Sequence, residues 1–226
     1  MGKQRVVGII LLIASLTALG GLAALLPEQG GLAIDDYAER LAASLTSDPM
    51  TAAARVMAYA GSTVGVIGIS LLSGLFMAIK AGWRSGVIIV AGVGAAYGIN
   101  VLLKSLFDRA RPELAWGIEV SGASFPSAHA TLGCAMFGLI ALMLIRSTSF
   151  RKPGRIIIGA VAIMLILLMG ASRIYFHVHY LTDILAGYAT GLAVIAVTLL
   201  LIKPLEKRVS TINRIRVSPQ HFQGSK

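Results

Sequence analysis

A chain of 226 residues that is 56% hydrophobic and only 13% charged does not have the balance of a water-soluble domain, since too few polar side chains are present to cover a globular surface. Its net charge of +10 invites a nucleic-acid reading, but the basic residues sort between two sets of loops, which is a different signal. The single cysteine, Cys134, sits in an apolar run and excludes an intrachain disulfide, leaving a small buried hydrophobe as its expected role.

Residues 6–26 carry no charge over 21 positions, and at about 1.5 Å per residue they cross roughly the 30 Å core of a bilayer. Lys3 and Arg5 precede this run as they would in a secretory signal. The apolar stretch is longer than a typical signal core, however, and no small-x-small cleavage site precedes Pro27. A retained first transmembrane helix is expected. Residues 28–61 interleave Asp35, Asp36, Glu39, Arg40, Asp48 and Arg55 with apolar positions. Ile34, Tyr37, Leu41 and Leu45 recur at near-helical spacing, as do Ala54, Met57 and Ala60. This pattern predicts two short amphipathic helices lying on the membrane and roofing part of a site, with an ordered loop as the alternative.

Five further spans are expected at 63–79, 86–106, 130–145, 156–171 and 183–202. The fold class is thus all-α, an integral membrane protein with six transmembrane helices. Residues 1–203 form the membrane domain, and 204–226 a basic, loosely ordered tail containing His221. Gly92, Gly94, Ala95 and Gly98 in the third span, and Gly187 and Gly191 in the sixth, read as sites of close helix packing.

Six spans place both termini on one side. The loops on that side hold 14 of the 20 basic residues and one acid, Glu206, whereas the opposite face holds six basic residues and nine acids. By the positive-inside rule the first face, with both termini, is cytoplasmic. The basic excess then reads as topology, with anionic lipid as a contributor, and no nucleic-acid partner is implied.

Three polar clusters fall on the other, outer face: Lys104-x6-Arg111-Pro112, Pro126-Ser127-Ala128-His129, and Ser172-Arg173-x5-His179-x3-Asp183. Ionisable residues at membrane depth are costly and usually functional. Lys104 and Arg111 are seven apart, near two helical turns, so both are expected on one helix face, with Pro112 ending the helix at Arg111 and Asp108 placed to orient them. The cations suit a phosphate, Arg as a planar fork and Lys as a point charge. A helix beginning at Pro126-Ser127 would present free N–H groups to an anion beside His129. His179 and Asp183 at i and i+4 would face each other on a helix, and a carboxylate on Nδ1–H leaves Nε2 with a lone pair. His177, offset by two, is given no role. Each cluster also has a structural explanation, as juxtamembrane charges or helix caps.

Jointly, the clusters resemble the type 2 phosphatidic acid phosphatase family, which shares its signature with vanadium haloperoxidases and bacterial acid phosphatases. The family pattern is Lys-x6-Arg-Pro, Pro-Ser-Gly-His and Ser-Arg-x5-His-x3-Asp; here only Ala128 departs from it, standing where glycine is usual. The likeness covers about residues 104–191 and the six-helix layout of the membrane-bound branch, and it implies that branch's helical core. It further implies His179 as nucleophile oriented by Asp183, His129 as general acid and base, and a phosphohistidine intermediate. Lys104, Arg111 and Arg173 would hold the phosphate, together with Ser127 and the Ser127 and Ala128 backbone amides. No carboxylate cluster suited to Mg²⁺ stands out, so no cofactor or metal is expected. The expected substrate is a membrane lipid phosphate or diphosphate: undecaprenyl diphosphate first, then phosphatidylglycerophosphate or phosphatidate. A lipid phosphotransferase, or a non-catalytic lipid-binding or transport protein, remains the alternative, and oligomeric state is not legible.

Overall fold

A computed structural model of the protein describes residues 2–113, 115–147 and 151–202, and the C-terminal tail with His221 lies outside the described residues. The described residues form eight helices: α1 Lys3–Ala24, α2 Ala33–Ser44, α3 Asp48–Ala60, α4 Thr63–Ala81, α5 Trp83–Phe107, α6 Ala128–Ser147, α7 Lys152–Tyr175 and α8 Leu181–Leu201. All except α2 and α3 are long and apolar enough to cross a membrane, and they coincide with the six expected spans to within a few residues.

The bundle is built around α6 and α8. Gly187 and Gly191 of α8 lie against α6 so closely that a Cβ at Gly187 would stand 2.7 Å from both Ala130 Cβ and the Ser127 carbonyl. Small residues let two backbones approach where lipid offers no hydrophobic drive to associate. Around this pair, Ile89, Val93, Leu132, Met136, Leu139 and Met169 are buried together, with α4, α5 and α7 on the flanks. Gly92 is filled against by Leu139, but Gly94 and Gly98 face open space. Close packing therefore accounts for only part of the third-span glycine pattern.

α1 rides on the outside of α8. Gln4 Nε2 donates to the Leu199 and Ile202 carbonyls at 2.7 and 3.0 Å, while Arg146 donates to Gln4 Oε1 at 2.9 Å. These contacts gather the N-terminus, the end of α6 and the end of α8 at one end of the bundle. The opposite end collects the last turn of α5, the start of α6, the last turn of α7 and the start of α8. There α2 and α3 form the expected amphipathic pair and pack on α7, α8 and α4. Tyr37, Leu41, Leu45 and Val56 remain exposed on their outward face, which suits helices set against lipid.

Candidate active site

Two expectations about local geometry are corrected. Helix α5 ends at Phe107, not at Arg111: Asp108 adopts a left-handed conformation with φ 39° and closes the helix. Aspartate is among the few residues that tolerate this region. Lys104 and Arg111 therefore converge because the chain folds back, not through helical phase. Asp108 itself is exposed and pairs with neither cation; Lys104 Nζ instead donates to the Ala123 carbonyl. Likewise His179 precedes α8, which starts at Leu181 with Tyr180 as its cap. It still meets Asp183, because Asp183 Oδ2 accepts the Tyr180 N–H at 2.9 Å and pins the turn that carries His179.

The predicted histidine–aspartate pair is present but is not a simple contact. His179 Nδ1 lies 3.5 Å from Asp183 Oδ2 and 3.2 Å from Ser124 Oγ, while Ser124 Oγ donates to Asp183 Oδ2 at 2.5 Å. Ser124 is fully buried and lies outside the three motifs, two residues before Pro126. On the other side of the ring, Arg111 Nη1 lies 3.2 Å from His179 Nε2. Arginine only donates, so Nε2 must accept, and the proton of the neutral ring belongs on Nδ1. Burial pulls this imidazole down to about 4, against the raising influence of Asp183. His179 thus holds a lone pair at Nε2 at neutral pH.

Arg111 also donates to the carbonyls of Val178, Ser121, Gly122 and Ala123, so it braces the loop before α6 against the His179 turn. Burial lowers its guanidinium from the ordinary value, partly offset by Asp183. Ser127 is only partly as expected. Its N–H is taken by the Asp183 carbonyl at 3.0 Å and is not free for an anion. Its hydroxyl is buried and without a partner, as is Nε of Arg173. Buried polar atoms are normally satisfied; among the described residues Ser15 Oγ, Ser70 Oγ and Arg109 Nε are unmatched as well, but only Ser127 and Arg173 belong to the three motifs. His129 lies at the start of α6, within electrostatic range of Arg173, His179 and Arg111. Its Nε2 is 3.1 Å from the Ala58 carbonyl of α3, and a Cβ on Gly61 would collide with its ring. The α2–α3 arch therefore covers this corner of the site.

Asn100, mid-α5 by sequence and almost fully buried, donates to the Pro126 carbonyl and to Thr131 Oγ1 at 3.2 and 3.1 Å, fixing the start of α6. His177, given no role, is buried with φ 51° and has Nδ1 2.9 Å from Glu39 Oε1, a tie to α2. Half-buried Trp116 packs on the buried rings of Tyr175 and Phe176 and anchors the loop after α5 beside it.

Six apolar helices carrying a cluster of arginine, lysine and histidine at one end define a polytopic membrane protein with basic side chains gathered among its helix ends. The chain belongs to the PAP2 superfamily, whose family model matches residues 85–207. Among similar curated proteins, phosphatidylglycerophosphatase B of Bacillus subtilis is 31% identical over 107 residues, covering 47% of this chain and 53% of that one. A decaprenylphosphoryl-5-phosphoribose phosphatase of Mycobacterium tuberculosis is 38% identical over 115 residues, covering 48% and 58%. The chain thus spans little more than half the length of the curated relatives it matches. The crystal structure of a transmembrane PAP2 type phosphatidylglycerolphosphate phosphatase from Bacillus subtilis superposes with a TM-score of 0.78 at 22% identity, over 86% of this chain and 98% of that one. Aquifex aeolicus LpxE superposes with a TM-score of 0.58 at 20% identity, over 74% and 96%. Both share the fold.

Proposed function

We propose that this protein hydrolyses a membrane lipid phosphate or diphosphate by way of a phosphohistidine. The observation that carries the reading is a neutral His179 whose Nε2 accepts from Arg111, on a segment hydrogen-bonded by backbone to Arg173 through Val178, while the Asp183 carbonyl takes the Ser127 N–H. Nε2 attacks phosphorus, and the bond to the lipid oxygen breaks. The leaving oxygen takes a proton from His129, which then removes one from the water that cleaves the N–P bond. Inorganic phosphate leaves, and both histidines return to their starting forms. Because Nε2 of His129 faces the Ala58 carbonyl, Nδ1 is the nitrogen left to carry the transferred proton.

Lys104, Arg111 and Arg173, with the Ser127 hydroxyl and the Ala128 amide, neutralise the non-bridging oxygens as charge redistributes. The groups gathered here are cationic, and Asp183 is committed to protein donors, which supports a mechanism without metal. The one departure from the family pattern, Ala128, retains its N–H and adds a methyl group.

A lipid substrate is supported by the site's place at the end of the bundle and by an apolar groove of about 620 Å³ between α2, α3 and α7, lined by Leu41, Met57, Leu168 and Tyr175 among others. The names of the two curated relatives, a glycerophospholipid phosphatase and a polyprenyl-lipid phosphatase, fit the same class. We favour undecaprenyl diphosphate, then phosphatidylglycerophosphate or phosphatidate. Charge sorting of the loops supports both termini in the cytoplasm and a site facing outward. The test is phosphate release by purified protein from a panel of these lipids. Wild type is expected to release phosphate and His179→Ala, folded to the same extent, to release none. Turnover by His179→Ala at the wild-type rate refutes the nucleophile.

A further inference from the structure

Arg109 lies between Lys104 and Arg111, yet none of its contacts is to the groups assigned to phosphate. Nη1 donates to Asp183 Oδ1 at 2.6 Å and to Thr182 Oγ1 at 2.8 Å. Nη2 donates to the Gly30 carbonyl at 3.1 Å and lies 3.4 Å from Asp35 Oδ2. The guanidinium carbon stands 4.0 Å from the centre of the Tyr180 ring. Asp35, in the first turn of α2, accepts from the Thr182 N–H at 2.8 Å and from Thr182 Oγ1 and the Leu32 N–H at 2.9 Å each. Asp35, Arg109 and Asp183 are all buried.

The partition of the Asp183 carboxylate is informative. Oδ2 is shared by Ser124 and the Tyr180 N–H, and faces His179; Oδ1 has Arg109 as its side-chain partner. A carboxylate with no solvent contact stays ionised only while its charge is matched by donors. Arg109 supplies that match from behind, and its fork holds the carboxylate plane, so Oδ2 can take the Nδ1 side of His179. The same fork ties Asp183 to the membrane-surface helix through Asp35.

We infer that Arg109 and Asp35 form a clamp that positions Asp183, and through it His179, so that the reactive histidine is aligned only when α2 is docked against the start of α8. In this role Arg109 is a positioning residue and not a phosphate ligand, although it lies within the Lys104–Arg111 segment. The inference rests on the proposed phosphohistidine reaction.

The experiment compares purified wild type, Arg109→Gln, Arg109→Lys, Asp35→Asn and the Arg109→Gln/Asp35→Asn double variant in mixed micelles. The substrate is a lipid phosphate that wild type hydrolyses. Folding is followed by size-exclusion profile and thermal melting. Three constants are read: kcat, KM, and the inhibition constant of inorganic phosphate.

Arg109→Gln is expected to lower kcat about thirtyfold or more, a loss of transition-state alignment. KM and the phosphate constant should stay within about threefold, because the groups that hold phosphate are untouched. Arg109→Lys keeps a charge but lacks the planar fork that serves Asp183 and Asp35 from separate nitrogens, and should fall between. Asp35→Asn should cost less, and adding it to Arg109→Gln should cost nothing more, since both act through one clamp. The inference is overturned if kcat in Arg109→Gln and Arg109→Lys stays within about twofold of wild type, or if the phosphate constant weakens in step with kcat. A wild type that releases phosphate from no lipid refutes the underlying reaction instead, and the two failures are thereby told apart.

Discussion

Replacing Ser124 by alanine tests the geometry around His179 most sharply. Ser124 Oγ is the nearer of two acceptors for Nδ1, at 3.2 Å against 3.5 Å for Asp183 Oδ2. Good N–H···O bonds lie at about 2.7–3.2 Å, so the serine oxygen accepts the Nδ1–H bond alongside the carboxylate and in turn donates its own proton to Asp183 in a 2.5 Å bond. Alanine removes both links and leaves the ring 3.5 Å from its anion. A hydrogen bond to a charged group contributes about 1.5–3 kcal/mol. At about 1.4 kcal/mol per tenfold in rate, Ser124→Ala should lower kcat by roughly tenfold to a hundredfold. The effect should appear in kcat and kcat/KM alike, since the interaction is needed to hold the attacking nitrogen and not to bind lipid. Phosphate release under single-turnover conditions, with the folded fraction measured in parallel, reads this directly. A rate constant within twofold of wild type refutes the serine bridge and leaves Asp183 as the sole orienting group.

Two other outcomes follow from burial and packing. His179 is neutral when folded down to about pH 4 but titrates near 6.5 when unfolded; its contribution is present above pH 6.5 and lost as pH falls from 6.5 to 4, because the unfolded chain binds the proton first. Denaturation in detergent should show a loss of up to about 3 kcal/mol across that window, and His179→Asn should flatten it; an unchanged slope refutes a buried neutral ring. Gly187→Ala should lower the melting temperature, at a cost of about 1–3 kcal/mol, because the added Cβ meets Ala130 and the Ser127 carbonyl. Activity should fall further than stability, since α6 carries His129 and α8 carries Asp183, and equal melting curves would show that α6 and α8 separate at no cost.

Sequence made the membrane scaffold readable because apolar length and loop charge are local properties. Residues 6–26 and the other runs declare themselves by composition, and the α2–α3 arch by the spacing of Ile34, Tyr37, Leu41 and Leu45. The partners of those elements were not readable. Asp35, four spans before Thr182 in the chain, looks like one more surface acid of an amphipathic helix, yet it is buried and accepts four hydrogen bonds. Arg109 and Ser124 carry no signal of their own in the sequence, because their significance lies in contacts across 74 and 59 positions of chain. Their one local trace is proximity to Arg111 and Pro126. Helix periodicity misled where a single left-handed residue, Asp108, broke the phase between Lys104 and Arg111. Helical phase also turns His177 away from His179, whereas the segment between α7 and α8 is not helical.

That left-handed turn turns a spacing into a ruler. Lys104 is delivered by the rigid last turn of a helix, while Arg109 and Arg111 are delivered by irregular chain. The interval between the two outer cations therefore records a loop length. Lengthening α5 upstream of Lys104 by a whole turn would leave that interval intact. One residue inserted between Asp108 and Arg109 would shift both guanidiniums along the chain together, taking Arg109 away from the carboxylates and Arg111 away from the imidazole. Tolerance to insertion should thus change from permissive to forbidding within a few residues, at the point where the helix stops.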